Sequence, residues 1–582
     1  MSAAVRENLV HISHMTDLAA QEFVRRPINI KERPQPSTGQ KIWAGIFYGQ
    51  LAVQLLAVIW MLASANVALV SGDTCPAGFD KMDFLCVTSR LKAEAEACVL
   101  ETTADATRRL AGEGNSRTIW KMLLDNFITL GLTLPAAAAV LGAAWLTLLK
   151  MATPYAVWGM ILLNVLLMFY GSYLVENFAL AVYGVFTMVV AVLSRKQIHM
   201  AVAAVRVACQ ALNETKSVVM ATAGVQLLSV CYSACFLLAA TRVGNSLQLG
   251  PDCTVTELSL ASKFFSRTCP LLFFVTTAYF KNCVLAICSL GVGCWYFPDR
   301  AEEEGVPPTN PSVLGAKLAF TTSSGTVCVA SLVIGVVDYL RARTQDGPCW
   351  WCDPMACVVR SLWCCLDGVV GGLSRFALIT HMLHGQGLRE VAAVTYGLLK
   401  RRLPEAFMTS FVAEKVTSQM SAGLATVFGL AAWAILDASQ GLGILRFYGD
   451  ALGESASDGS DLRLKQLLVM GTIILMFFFV RHPMVSIVGI FFINNMFEIT
   501  DDTVNSFSIA VLMGSMVAVI FSYFGILIEC AADTIFYCFV LEDESGARQV
   551  RLKEVYDVVD AQMAIENKAA EANATNELEP QA

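Results

Sequence analysis

Residues 506–541 read SFSIAVLMGSMVAVIFSYFGILIECAADTIFYCFVL, and this stretch decides the fold. It holds two charges, Glu529 and Asp533, and ends abruptly at Leu541-Glu542-Asp543-Glu544. As a helix rising ~1.5 Å per residue it is roughly 54 Å long, well beyond a ~30 Å hydrocarbon layer, so it must cross a bilayer and project from it. A carboxylate deep in a membrane is expensive and is a functional candidate by default. Glu529 and Asp533 are spaced i, i+4 and therefore share one helix face. The pair points to a membrane protein that handles a polar or cationic solute.

The rest of the chain agrees. Of 582 residues 56% are hydrophobic and 15% charged, with a mean hydropathy of +0.57, against ~25% charged in soluble proteins. The net charge of −7 offers no basic patch for nucleic acid. Phosphate-cradling, zinc-hydrolase and nucleophile-elbow motifs do not occur, and no cofactor or metal is implied. The expected fold class is all-α, a polytopic transmembrane helix bundle of about ten to twelve spans. Apolar runs place spans near Ile42–Val70, Phe127–Leu149, Tyr155–Leu174, Phe178–Leu193, Val218–Ala240, Leu271–Phe297 and Leu314–Leu340. Further spans are expected near Cys365–Leu383, Ala422–Leu436, Leu467–Val480, Met484–Phe497 and Ser506–Ile528, with Arg481-His482-Pro483 as a tight turn.

Three domains follow: a polar N-terminal arm over 1–41, a membrane domain over 42–541, and an acidic tail over 542–582. The first apolar run is too long for a signal peptide and stays as a span. Basic residues in the arm, Arg195-Lys196 and Lys400-Arg401-Arg402 fall on one side, which places both termini in the cytosol. The loop 71–119, with Cys75, Cys86 and Cys98, and the loop holding Cys253 and Cys269 then face an oxidising exterior, so these five are disulfide candidates of open connectivity. Cys349, Cys352, Cys357, Cys364 and Cys365, beside Trp350, Trp351 and Trp363, read as an interfacial segment rather than a zinc site. Asn213 and Asn573 begin sequons on the expected cytosolic side and are read as chance.

Several segments together resemble the choline transporter-like family of multi-pass membrane proteins. Ala532-Asp533-Thr534-Ile535-Phe536-Tyr537-Cys538-Phe539 through Asp543 is similar to that family's C-terminal signature. Arg195-Lys196-Gln197-Ile198 with Ala201–Ala211 resembles its basic amphipathic linker, and Trp295-Tyr296-Phe297-Pro298-Asp299 the exit of its sixth span. Lys415-Val416-Thr417 and Cys364-Cys365 also stand where the family has matching features, in an order that holds over roughly residues 120–545. The resemblance implies facilitated or exchange transport of choline and related small cations, including ethanolamine-like ones. It also implies a plasma-membrane location, or an organelle membrane.

Choline is a permanent cation whose head donates no hydrogen bond from nitrogen, so a binding protein needs ring faces worth ~0.5–2 kcal/mol each when desolvated, plus a carboxylate. The substrate-binding candidates are Tyr170, Tyr173, Tyr279, Asp338, Tyr523, Glu529 and Asp533. Trp295, Tyr296 and Tyr339 read as membrane-interface anchors. Lys281, stranded in a span, should face the bundle interior and find a carboxylate. Gly291, Gly293, Gly371 and Gly372 read first as close-packing positions. Two other classes compete: an intramembrane enzyme of lipid metabolism using His381 and His384, and a non-transporting scaffold.

Overall fold

The computed structural model describes residues 37–63, 67–69, 79–82, 85–88, 134–175, 178–241, 247–248, 257–258, 260–298, 311–345, 370–400, 403–440 and 501–545. Its helices in chain order are α1 (Thr38–Ala63), α2 (Leu134–Val175), α3 (Phe178–Leu193), α4 (Arg195–Glu214), α5 (Lys216–Thr241) and α6 (Leu260–Tyr296). They continue with α7 (Pro311–Phe320), α8 (Ser324–Gln345), α9 (370–384), α10 (Leu388–Lys400), α11 (Leu403–Gln440) and α12 (Asp501–Ser545). The all-helical expectation holds for the bundle. Among the described residues five short strands lie between helices: β1 (Val67–Leu69), β2 (Phe79–Met82) and β3 (Leu85–Thr88) form an antiparallel sheet in the order β1-β3-β2, and β4 (Leu247–Gln248) pairs with β5 (Glu257–Leu258).

Among the described residues, helices over Thr38–Met61, Lys216–Phe236, Lys263–Tyr296 and Met516–Glu542 are long and apolar enough to cross a membrane, and the number is up to 7 if each bent pair is one span. The expected spans Leu467–Val480 and Met484–Phe497 lie outside the described residues. Leu271–Phe297 begins earlier than expected, because α6 starts at Leu260 and runs through Pro270. The described part of Phe127–Leu149 and the span Tyr155–Leu174 both fall on α2, which is bent by 92° between Ala136–Thr147 and Leu149–Gly159 and runs through Pro154. Proline has no N–H to give the carbonyl four residues back. Here that carbonyl, on Lys150, accepts from Arg206 Nε of α4 at 3.0 Å instead.

Leu314–Leu340 is broken rather than straight: α7 and α8 meet at 72° across Thr321-Thr322-Ser323. The turn is closed by Ser323 N–H on the Leu318 carbonyl at 2.9 Å. Beyond it, Gly325 packs on the α1 backbone, where a Cβ would stand 2.2 Å from the Gln40 carbonyl oxygen. Farther along α8, Gly335 presses on α6, a Cβ there falling 2.5 Å from Val275 Cα. Helix α1 is also tied sideways by polar side chains: Gln40 to Thr326, Gln50 and Gln54 to Thr276, and Tyr48 to Tyr279. Such bonds replace the hydrophobic drive that lipid removes from helix association.

Three helices run parallel at the centre. Tyr296 at the end of α6 donates to the Glu542 carboxylate at the end of α12. The Phe376 ring of α9 lies 6.2 Å from that of Phe536 on α12. Gly293 of α6 faces Leu383 of α9, and Gly291 faces Val218 of α5, so both glycines pack closely as expected. Helix α11 runs antiparallel to α12: Ser410 meets Asp533, Thr417 meets Gly525, and Ser421 donates to the Ala518 carbonyl. Helix α9 ends at Gly385, whose φ of 74° is the left-handed conformation that closes many helices.

Candidate functional site

Helix α12 presents Glu529 and Asp533 one turn apart on a single face, and both are buried, at 3% and 1% exposure. Arg375, near the start of α9, meets both. Its Nη1 donates to Glu529 Oε1 and lies 3.9 Å from Asp533 Oδ2. Lys281 of α6 approaches Glu529 Oε2 at 3.7 Å, so the stranded lysine has found the carboxylate expected of it. Ser410 of α11 donates to Asp533 Oδ1 at 2.5 Å. Asp533 Oδ2 is buried without a hydrogen-bond partner among the described residues. The formal charges of Lys281, Arg375, Glu529 and Asp533 sum to zero, which lowers the cost of holding four ions in an apolar bundle. Glu414, exposed and one turn along α11 from Ser410, also acts electrostatically on Arg375.

The two cations are held differently. The Arg375 side chain is 21% exposed and bridges both carboxylates, whereas the Lys281 side chain is 37% exposed and, among the described residues, makes one ion pair, to Glu529. Burial is also asymmetric along the parallel helices. Residues 282–293 of α6, 376–385 of α9 and 527–542 of α12 are buried. On the other side of the charges, 271–274, Thr277 and Lys281 of α6, 370–375 of α9, and Ser522 and Ile526 of α12 are half-buried. The charges therefore mark the boundary between a more exposed stretch of these three helices and a fully buried one. At the far end of the buried stretch Tyr296 is fully buried against Glu542, and Trp295 Nε1 donates to Glu214 of α4 at 2.7 Å. Tyr296 is thus a buried clasp rather than an interface anchor.

The six expected substrate contacts whose side chains are described do not converge. Glu529 and Asp533 belong to the charge cluster. Tyr279 lies two residues from Lys281, about 200° around the helix, and so faces away from it. Its hydroxyl is 3.1 Å from that of Tyr48, and the rings of Phe47, Tyr48 and Phe320 lie 4.4, 6.4 and 6.3 Å from its own. Tyr523 is buried against α5, donating to the Val219 carbonyl at 2.6 Å with Thr222 Oγ1 at 3.1 Å. Tyr173 is 65% exposed on α2, and Asp338 is half-buried on α8 beside Tyr339, whose ring meets Phe274. The Tyr170 side chain lies outside the described residues.

Of the disulfide candidates, Cys269 is corrected. It is a free thiol at 1% exposure inside α6, packed with Ala57, Met61 and Phe265, because the helix begins nine residues before it. Cys86 lies on β3 with its side chain outside the described residues, as are Cys75, Cys98 and Cys253. The Cys349–Cys365 group is outside them too. His381 Nδ1 bonds the Gln386 carbonyl and fastens the turn that ends α9. Sequence reasoning missed Arg375 and Ser410. The signal for Arg375 was present, since it is the one Lys or Arg within the expected span Cys365–Leu383.

Residues 178–449 match a family model described as "Plasma-membrane choline transporter". Among curated proteins the chain is similar to Protein PNS1 of Mycosarcoma maydis, 33% identical over 92 residues, which cover 14% of this chain and 17% of that protein. It is also similar to a CTL-like protein of Dictyostelium discoideum, 25% identical over 145 residues, 24% of this chain and 26% of that one. The chain thus spans 17% and 26% of the length of these two curated relatives. The resemblance to the choline transporter-like family is borne out, and residues 178–449 carry Lys281, Arg375 and Ser410 of the charge cluster.

Proposed function

We propose that this chain is an integral membrane transporter of choline and related small organic cations, working by facilitated diffusion or exchange at the plasma membrane. The observation that carries this reading is the buried four-charge cluster at the boundary between the more exposed and the buried stretches of α6, α9 and α12, in a chain of this family resemblance. Glu529 and Asp533 supply the negative charge a quaternary amine needs. Phe376, next to Arg375, and Phe536, one turn beyond Asp533, whose rings lie 6.2 Å apart, are the ring faces this reading assigns to the cation. Tyr279 with Phe47 and Tyr48 forms a second ring cluster at the same depth across α6, and Tyr170 and Asp338 are further contacts along the route. Both termini are cytosolic in this reading, the bundle completes ten to twelve crossings, and the buried half then faces the cytosol.

The test is uptake of labelled choline into proteoliposomes holding the purified chain. Uptake that excess unlabelled choline abolishes, and that Glu529→Gln reduces by an order of magnitude or more, supports transport. Product formed from a lipid substrate without uptake supports the enzyme reading, and neither activity leaves the scaffold.

A further inference from the structure

Resting on that reading, we infer that Lys281 is a tethered stand-in for the transported cation: its ammonium occupies the cation position on Glu529 in the empty protein, and the substrate's ammonium displaces it. The argument begins with charge balance. Lys281 and Arg375 together neutralise Glu529 and Asp533. A further permanent cation entering these four groups would leave one excess positive charge among apolar helices, which the exposed and therefore screened Glu414 offsets only weakly, and this is unfavourable unless a resident cation withdraws. Arg375 cannot withdraw without abandoning two carboxylates at once, one of them by breaking a direct charge-assisted hydrogen bond.

Lys281 is the cation free to move. Its one ion pair among the described residues, at 3.7 Å, is longer than a hydrogen bond of good geometry, and its side chain is the most exposed of the four. It projects on the half-buried face of α6, in line with Thr277 one turn earlier. Lysine is also a compact ammonium on a flexible stem, able to swing outward where the planar guanidinium is fixed by its fork of donors. The carboxylate oxygen left behind is Glu529 Oε2, while Oε1 stays on Arg375. The site thus presents one vacated negative charge to one incoming positive charge, and selects cations over zwitterions and anions.

Two measurements on the purified full chain in nanodiscs test this. In the first, Lys281 is labelled by a small water-soluble acylating reagent and read by mass spectrometry, with and without saturating choline or tetramethylammonium. Displacement raises its labelling rate severalfold, whereas a lysine serving only as a structural ion pair keeps its rate. In the second, equilibrium binding of labelled choline is compared between wild type, Lys281→Gln and Lys281→Arg. Removing the competitor tightens binding by at least about tenfold, the low end for couplings between close charges, and slows release in proteoliposome exchange. Lys281→Arg holds Glu529 more firmly and weakens binding. The double variant Lys281→Gln/Glu529→Gln loses the gain, and it also covers the case in which the single variant fails to fold, because its charges balance. Choline binding to the wild type with unchanged Lys281 labelling and unchanged affinity in Lys281→Gln overturns the displacement alone. Failure of the wild type to bind either amine overturns the transport reading, and the displacement with it.

Discussion

Replacing Arg375 by Leu separates the roles of the four charges. The wild-type cluster holds two positive and two negative groups, and the variant holds Lys281 against Glu529 and Asp533. Lys281 remains 3.7 Å from Glu529, so that carboxylate keeps a counter-ion. Asp533 does not. Arg375 is its one cation within 4 Å among the described residues, and at 1% exposure it has no water to fall back on. Breaking a buried ion pair from one side costs about 3–5 kcal/mol, and Arg375→Leu is expected to lose that much. The second-site partners then rank in a definite order. Arg375→Leu/Asp533→Asn recovers most of the loss, because the neutral amide keeps its oxygen for the Ser410 hydroxyl and removes the stranded charge. Arg375→Leu/Glu529→Gln recovers far less, since it leaves Asp533 charged and takes the counter-ion from Lys281. The assay is thermal denaturation of the purified protein in detergent, following the fraction that remains monodisperse, with all four proteins measured in parallel. A single variant within about 1 kcal/mol of wild type, a negligible loss for a buried charge, would refute the reasoning. So would equal recovery by the two doubles.

Two further predictions rest on geometry away from the charges. At Gly335 an added Cβ would stand 2.5 Å from Val275 Cα and 2.8 Å from its nitrogen, where backbone cannot yield, so Gly335→Ala forces α6 and α8 apart at a cost of about 1–3 kcal/mol. Gly49→Ala, with nothing within 4 Å, stays neutral or stabilises slightly through helix propensity, and denaturation of the pair in parallel checks the contrast. Tyr296→Phe removes the hydroxyl that meets the buried Glu542 carboxylate, at a cost of about 1.5–3 kcal/mol for a hydrogen bond to a charged group. In the same variant, cysteines placed on the buried half of α12 should react faster with a water-soluble thiol reagent, and unchanged reactivity would mean the clasp does not hold that end shut.

Much of this was legible because the decisive signals are local. The apolar run ending at Leu541 becomes one helix from Asp501 to Ser545, and the four-residue spacing of Glu529 and Asp533 suffices to put both carboxylates on Arg375. The partner of Lys281 was foreseeable as a type of residue, because an ammonium in a membrane needs a carboxylate, but not as a position. Arg375 and Glu529 are 154 residues apart, and no periodicity encodes a contact of that separation. The start of α6 was misread because Lys263, Arg267 and Pro270 look like loop chemistry, while a bundle tolerates an interior proline when neighbours satisfy the freed groups. The aromatic side chains misled for a related reason. Tyr279, Tyr296 and Tyr523 each spend their hydroxyl on a helix-to-helix bond, and sequence alone cannot distinguish a ring that packs from one that waits for a ligand.

The competing readings can be weighed by what the fold would need without transport. A scaffold must hold α6, α9, α11 and α12 together, and well-packed aliphatic side chains do that as well as buried ion pairs or better. Four ions at one depth are a poor choice for adhesion, and leaving one of them half-exposed on a looser contact is poorer still. An enzyme using His381 would need its imidazole aimed at a substrate, yet Nδ1 is engaged in closing the turn at the end of α9, on the buried side of the bundle. The arrangement makes physical sense when the charges are temporary partners. On the proposed reading, Arg375 keeps the carboxylates in place, Lys281 covers the second Glu529 oxygen, and the buried C-terminal halves of α6, α9 and α12 would withhold passage until the cation at Glu529 is exchanged. Transport is the one function of the three that uses both the neutrality of the cluster and its one-sided exposure.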